Sequence, residues 1–346
     1  MPIRLREAQP QLSTSRKQFA RHIYSAYGIS ISSDVSVPGF LETPSNNEID
    51  LRLFQGKPAH LDFGSPLEIW QSPVPNSQSP PNLRIRTLDA GAYFWFHYHD
   101  GTDFVINEAG TEAWLSWPES LPFTEILPWL RGPLMGFVLR LRGATALHAS
   151  AISIDNRAIA LMGPPEAGKS TTAAAFARLG YPVLSDDVVP LSEQHGEFHI
   201  APGYPNVCLW PSAVAMLFGS EDALPRITPD WEKRYLDLDQ HGLEFQKSPV
   251  PLAAIYELAA RSDAPHAPYC EAVNPRDALV AMLGNTYASY LPNPNMRVRD
   301  FEQLARVAVR VPMRRVVPSS DPQNVTGLCQ EILRDFAGLG VSAARV

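Results

Sequence analysis

The chain is poor in lysine, in cysteine and in long apolar runs. Only 5 lysines stand beside 24 arginines, and Lys plus Arg (29) fall short of Asp plus Glu (36), giving a formal net charge of −7. This acidic balance excludes nonspecific binding to nucleic acid or to an anionic membrane, since both need gathered positive charge. Any nucleotide must therefore be held locally. Cys208, Cys270 and Cys329 are too few and too far apart for a disulfide framework or a Cys-x-x-Cys zinc site. No uncharged apolar run reaches the roughly 20 residues that span a bilayer, and Met1 to Thr14 lacks the apolar core of a signal peptide. The expectation is a soluble, cytoplasmic protein. The chain has no internal repeat.

Proline, by contrast, is abundant: 33 of 346 residues, against a usual content of about 5%. Interior prolines break helices and central strands, so coiled coils and long bundles are excluded and short elements are expected. At roughly 100–200 residues per domain, the length predicts two. From Arg21 to about Trp117, β-type runs (Tyr24 to Ile31, Glu48 to Phe54, Leu67 to Trp70, Leu83 to Arg86, Ala92 to Tyr98, Phe104 to Ile106, Glu112 to Ser116) alternate with turn residues. They predict an antiparallel β-rich domain over 1–122. Its stretch Gln71 to Asn82, with four prolines, reads as an exposed loop. Past Pro122, Thr124 opens a helical pattern running toward Leu141, interrupted at Pro128 and Pro133. Alternating strand and helix signals from Thr145 to Leu191 then predict an α/β domain over 123–346, closed by a helix from Asn324 to Phe336.

Within that domain, Gly163-Pro164-Pro165-Glu166-Ala167-Gly168-Lys169-Ser170 satisfies the Walker A pattern. The flanks strengthen it: Ala158 to Met162 is a short apolar strand leading in, and Lys169 to Leu179 an Ala-rich helix leading out and ending at Gly180. Backbone N–H groups of the loop would surround phosphates, with Lys169 neutralising β/γ oxygens, Ser170 on Mg²⁺ and Thr171 next along the helix. In a chain so rich in arginine, a lysine is kept where such a loop needs a compact ammonium.

Two neighbours join the loop. Ala146 to Ile154 alternates and is followed by Asp155-Asn156, a two-residue hairpin turn that sets His148 opposite Gly163. Downstream, Pro182 to Ser185 is a second strand ending in Asp186-Asp187. A right-handed strand–helix–strand crossover brings both strands to one sheet edge, so the two carboxylates converge on the phosphates. There a carboxylate holds Mg²⁺ or accepts a proton from an attacking hydroxyl, and Asp187 with Ser170 forms the expected metal pair. Lys233-Arg234 offers a cation to a transferring phosphoryl group, Arg234 being the candidate. His97 and His99 share a strand face, but no third metal ligand accompanies them.

Assembled as Leu147-His148-Ala149-Ser150, the Walker A loop and Ser185-Asp186-Asp187, these motifs make the chain resemble the catalytic domain of HPr kinase/phosphorylase. The likeness extends to its short bacterial relatives, among them lasso-peptide precursor kinases. The match spans Ala144 to Pro190, with looser likeness at Pro202-Gly203-Tyr204-Pro205, Leu209-Trp210-Pro211, Lys233-Arg234 and Pro251 to Tyr256. The resemblance implies a P-loop kinase domain similar to HPr kinase and to ATP-dependent phosphoenolpyruvate carboxykinase, preceded by a smaller β-rich domain. It implies transfer of the ATP γ-phosphate, with Mg²⁺, to a serine of a peptide or small protein, Asp186 as general base, Asp187 beside it and His148 in the active site. A precursor peptide of a lasso-type gene cluster is one such acceptor. Where the family loop reads Ser-Gly, this chain has Pro165-Glu166, and the glycine-rich signature of true HPr kinases is missing, which argues against HPr itself as substrate. A small-molecule kinase, an ATPase and a noncatalytic nucleotide-binding regulatory module stay open as alternatives, as does a homo-oligomer. Intact Lys169, Ser170 and paired aspartates favour a phosphotransferase. Acceptor recognition is expected partly from the N-terminal strands, whose aromatics split into Tyr93, Trp95, His97 on one face and Phe94, Phe96, Tyr98 on the other.

Overall fold

Runs of alternating residues broken by turns give the N-terminal third of the chain its strands. The computed structural model describes residues 22–44, 48–74, 81–288 and 294–340, a mixed α/β architecture with three sheets. Nine strands, β1 (His22–Ala26), β2 (Ile29–Ser33), β3 (Leu41–Glu42), β4 (Leu51–Gln55), β5 (Leu67–Gln71), β6 (Leu83–Leu88), β7 (Tyr93–Tyr98), β8 (Asp103–Asn107) and β9 (Glu112–Ser116), form the first sheet. Their order is β3-β1-β2-β4-β9-β8-β7-β6-β5. The run expected from Tyr24 to Ile31 is a hairpin rather than one strand, turning at Tyr27 and Gly28 with φ of 58° and 81°. The sheet is also not wholly antiparallel: β4 runs parallel to both β2 and β9. It reaches each through a long connection, which permits a return in the same direction. Within the loop expected at Gln71 to Asn82, residues 75–80 lie outside the described ones.

Both faces of β7 are covered. Phe94 and Phe96 pack on Phe137, with ring centroids 4.9 and 5.1 Å away, while Tyr93 and Trp95 pack with Leu61, Phe63 and Trp114 on the opposite face. Phe137 belongs to a helix made of α1 (Phe123–Trp129), a π-helical turn (Leu130–Leu134) and α2 (Met135–Leu141). The prolines expected to interrupt this helix do not end it. A proline removes an i→i−4 hydrogen bond, and the wider turn around Pro133 absorbs that loss. Ile126, Leu130, Leu134, Phe137 and Val138 share one core with Ile31, Leu53, Phe96, Phe104 and Leu115. Each such burial contributes about 1.5–3 kcal/mol. A boundary at Pro122 thus runs between a sheet and the helix that covers it.

The rest of the chain comprises β10 (Thr145–Ile154), β11 (Arg157–Met162), α3 (Lys169–Arg178), β12 (Val183–Ser185), β13 (Val188–Gln194), β14 (Glu197–Ile200), β15 (Asn206–Leu209) and α4 (Pro211–Phe218). It continues with β16 (Arg226–Thr228), β17 (Trp231–Asp237), β18 (Val250–Leu258), β19 (Tyr269–Val273), α5 (Pro275–Gly284), α6 (Pro294–Arg310), β20 (Met313–Val317) and α7 (Val325–Gly338). Asp155 and Asn156, with φ of 50° and 58°, make the expected two-residue turn, and the register Ala149↔Met162 leaves His148 beside Gly163. β10 lies between β11 and β12, antiparallel to both, so β11 and β12 run the same way and end at the same edge. β11 also pairs with β18, which closes β11-β10-β13-β14-β18 on themselves, while β20 and β19 extend the sheet beyond β18. α3, α4 and α7 pack on one face of this sheet and α5 and α6 on the other. β15, β17 and β16 form a third, small sheet. Among the described residues no helix is long and apolar enough to cross a membrane.

One buried ion pair joins α2, β10 and α6. Arg140 donates to the Asp300 carboxylate at 2.5 Å and to the Ala288 carbonyl, and Asp300 also accepts from Thr145 at 3.0 Å. Removing one partner of a buried pair leaves an uncompensated charge. Asp300→Ala is expected to lower unfolding stability by about 3–5 kcal/mol in urea titrations. A loss below about 1 kcal/mol would show that Arg140 reaches water without it.

Candidate active site

The edge where β11 and β12 end carries the loop Gly163 to Ser170. Its first glycine is dictated by space: Gly163 has φ of 147°, and a Cβ there would sit 2.8 Å from the Leu258 carbonyl oxygen. Lys169 opens α3, and its ammonium folds back to donate to the carbonyls of Gly163 (2.9 Å) and Pro164 (3.1 Å). Burial lowers its pKa, opposed by the charges of Asp187 and Asp186.

The two aspartates diverge at the strand end. Asp186 points inward: its Oδ1 accepts from Ser150 Oγ (2.6 Å) and Ser170 Oγ (2.9 Å), and its Oδ2 from the backbone N–H of Cys208 (3.0 Å). Burial raises its pKa despite those hydrogen bonds. Asp187, at φ of 73° on a turn where the Val188 N–H returns to the Asp186 carbonyl, points across the edge instead. Its carboxylate meets His148 Nδ1 at 3.0 Å and the Tyr287 hydroxyl at 3.1 Å. Burial pushes the Asp187 pKa up, but the His148 hydrogen bond and charge outweigh it, with Lys233 and Tyr287 adding, and the net shift is downward. Its side chain stays 41% accessible through the cavity although protein surrounds it.

These groups line one cavity of about 280 Å³, together with Pro165, Glu166, Gly168 and Thr171 of the loop and helix start. The cavity is also walled by Pro128 and Gly132 of the helix that covers the N-terminal sheet. Gly132 is close enough that a Cβ would lie 3.0 Å from Asp187 Oδ2. Trp210, Trp231 and Lys233 complete the wall.

Two placements differ from the sequence expectation. Arg234 does not reach the cavity: its guanidinium is buried and donates to the carbonyls of Glu221 and Glu232 and to Asp222. Strand alternation on β17 sends Trp231 and Lys233 to the cavity face and Arg234 to the other. Asp187, expected to share a metal with Ser170, is held by His148 and Tyr287, and the Ser170 hydroxyl pairs with Asp186. Ser170 and Asp186 are hard oxygen donors, a set that fits Mg²⁺, which takes one or two protein ligands beside phosphates and water. His97 and His99 have separate partners, Asp103 and Asn82, and the described residues hold no cluster of three or more His, Cys, Asp or Glu side chains suited to a metal.

Sequence reasoning missed Tyr287 and the Cys208 N–H, and it named Ser150 and Lys233 within motifs without placing Ser150 on Asp186 or preferring Lys233 to Arg234. Ser150 was within reach, since it sits two residues from His148 on the same face of β10. Tyr287 carried no local signal. It arrives because its N–H bonds the Ala146 carbonyl, and because Gly136 leaves room for its ring: a Cβ there would lie 2.3 Å from a ring carbon.

No family model matches the chain, and no curated protein matches it. Among solved structures the chain is similar to the Hpr(Ser) kinase/phosphatase from Coxiella burnetii, a distant neighbour with a TM-score of 0.34 and 11% identity over 56% of this chain and 92% of that one.

The raised pKa of Asp186 carries a pH dependence. A carboxyl with a higher pKa folded than unfolded stabilises the fold fully below its unfolded pKa of about 3.9 and loses that contribution as pH rises through the folded value. In the absence of divalent cations, the stability of Asp186→Asn should therefore gain on wild type as pH rises from about 4 to about 8. Melting temperatures across that range test it, and a constant difference would mean the carboxyl ionises without penalty.

Proposed function

We propose that the chain is an ATP- and Mg²⁺-dependent kinase of HPr kinase-like type, with a P-loop at Gly163 to Ser170, that phosphorylates a serine hydroxyl of a peptide or small protein. One observation carries this reading: Lys169 and Ser170 of the loop share a cavity with Asp186, Asp187 and His148. In the proposed step the acceptor oxygen forms a bond to the γ-phosphorus. The bond from that phosphorus to the β,γ-bridging oxygen breaks, and ADP leaves with the electron pair. The hydroxyl proton passes to a carboxylate, and we assign that role to Asp187 rather than Asp186. Asp186 is buried and already accepts three hydrogen bonds, whereas Asp187 faces the cavity, kept ionised and aimed by His148 and Tyr287. Ser170 and Asp186 would hold Mg²⁺, which when bound supplies charge neutralisation for the phosphates. The loop N–H groups and Lys169 would orient the phosphates for in-line attack.

The N-terminal sheet is the proposed support for the acceptor side, because Pro128 and Gly132 of its covering helix form part of the cavity wall. Incubation with γ-labelled ATP and Mg²⁺, with and without peptides encoded beside the gene, followed by mass spectrometry, tests the reading. A phosphoserine on a peptide supports it, and release of phosphate alone would make the chain an ATPase. Lys169→Ala should remove essentially all transfer. Asp187→Asn should lower kcat by about 10²–10⁴-fold while ATP still binds, and a larger loss in Asp186→Asn with unchanged Mg²⁺ dependence would reverse the two roles.

A further inference from the structure

β17 alternates, so Trp231 and Lys233 share a face, and Trp210, which follows the paired strand β15 just past the Leu209↔Arg234 pair, comes beside the lysine from across the strand pair. The Lys233 ammonium stands 5.3 Å from the ring centroid of Trp210 and 5.5 Å from that of Trp231. The clamp is itself braced. Trp231 stacks on Trp129 at 5.7 Å and 11°, and Trp129 stacks on Tyr98 of β7 at 5.0 Å. Among the described residues the ammonium has no carboxylate, carbonyl or hydroxyl partner.

A cation held by two aromatic faces and left without a counter-ion is positioned but electrostatically unsatisfied. It lines the same cavity as Lys169 and Asp187. Lysine is scarce in this chain, yet two of its five lysines line this one cavity. Arg234, the neighbouring cation, is tied to Glu221, Glu232 and Asp222 and cannot serve.

We propose that Lys233, resting against Trp210 and Trp231, is a catalytic residue that binds the oxygens of the transferring phosphoryl group in the cavity it shares with Lys169. The assignment rests on the kinase reading and adds a second lysine to it. Lys169 neutralises the phosphates in the ground state. Lys233 meets charge on the phosphoryl oxygens as the bond to ADP breaks and the bond to the acceptor oxygen forms, while the acceptor proton goes to Asp187. The two indoles hold the Lys233 ammonium, so little reorganisation is needed at the moment of transfer.

The test compares wild type, Lys233→Met and Lys233→Arg as full chains, in phosphoryl transfer and in calorimetric titrations with ATP and with ADP plus aluminium fluoride, Mg²⁺ being present throughout. Lys233→Met should lower kcat by about 10²–10³-fold with KM for ATP changed less than about threefold, and should lose the tighter binding of the aluminium fluoride complex relative to ATP. Lys233→Arg, which keeps the charge, should recover part of both. Methionine packs well between aromatic rings, and unchanged ATP affinity reports an intact site. If Lys233→Met keeps kcat within about threefold of an active wild type, or keeps the preference for the aluminium fluoride complex, the assignment fails alone. If wild type itself transfers no phosphate, the kinase reading fails and takes the assignment with it.

Discussion

One buried carboxylate organises the site. Asp186 follows β12, yet its two oxygens gather a hydroxyl from β10 (Ser150), a hydroxyl from the start of α3 (Ser170) and a backbone N–H from β15 (Cys208). Three separately folded segments thus meet at one group of atoms. A charged group in such a place costs stability unless its hydrogen bonds are complete, and here burial still wins and its pKa rises. A purely structural anchor would do better as a neutral side chain. On the proposed reading, a cation received beside Asp186 offsets the cost of burying its charge.

Asp187 shows how much depends on the backbone beside that anchor. With Asp186 fixed, the left-handed turn at Asp187 is what carries the second carboxylate across the edge to His148 and Tyr287. Space for this arrangement comes from the other part of the molecule. Gly132 and Gly136 lie on the helix that packs under the N-terminal sheet, where a Cβ at Gly136 would strike the Tyr287 ring and one at Gly132 would crowd the Asp187 carboxylate. Arg131, next to Gly132 in the π-helical turn, donates to the Pro38 carbonyl and the Tyr235 hydroxyl, and its own carbonyl accepts from Tyr27. Movement of the N-terminal sheet would therefore be felt directly at the carboxylate that faces the cavity.

What was legible in the sequence was what local chemistry determines. The turn at Asp155-Asn156 fixed the β10–β11 register, the loop glycines marked the path from β11 to α3, and alternation gave most of the first nine strands. Long-range pairing was not legible. The parallel partners of β4 are set by connections rather than by its own residues. α6 escaped notice because a charged residue, Asp300, occupies a buried position among Met296, Leu304 and Val307, and its partner Arg140 lies far away in the chain. Prolines were read as breaks, whereas Pro211 and Pro275 occupy helix starts, where proline is well suited. The place of Arg234 away from the cavity was illegible for the same reason, since alternation along β17 separates it from Lys233 only once the facing side is known.

The loop keeps one feature that local propensity opposes. Glu166 sits at φ of 64°, a left-handed conformation that costs a non-glycine residue about 1–2 kcal/mol. Its side chain also lines the cavity, so the carboxylates of Glu166, Asp186 and Asp187 face the ammonium groups of Lys169 and Lys233. Carboxylates so placed repel a bare polyphosphate, and a divalent cation that accompanies it offsets that repulsion. On the proposed reading, the dependence on Mg²⁺ is thus a property of the whole cavity wall as well as of Ser170 and Asp186. Glu166 makes that dependence stricter than a glycine would.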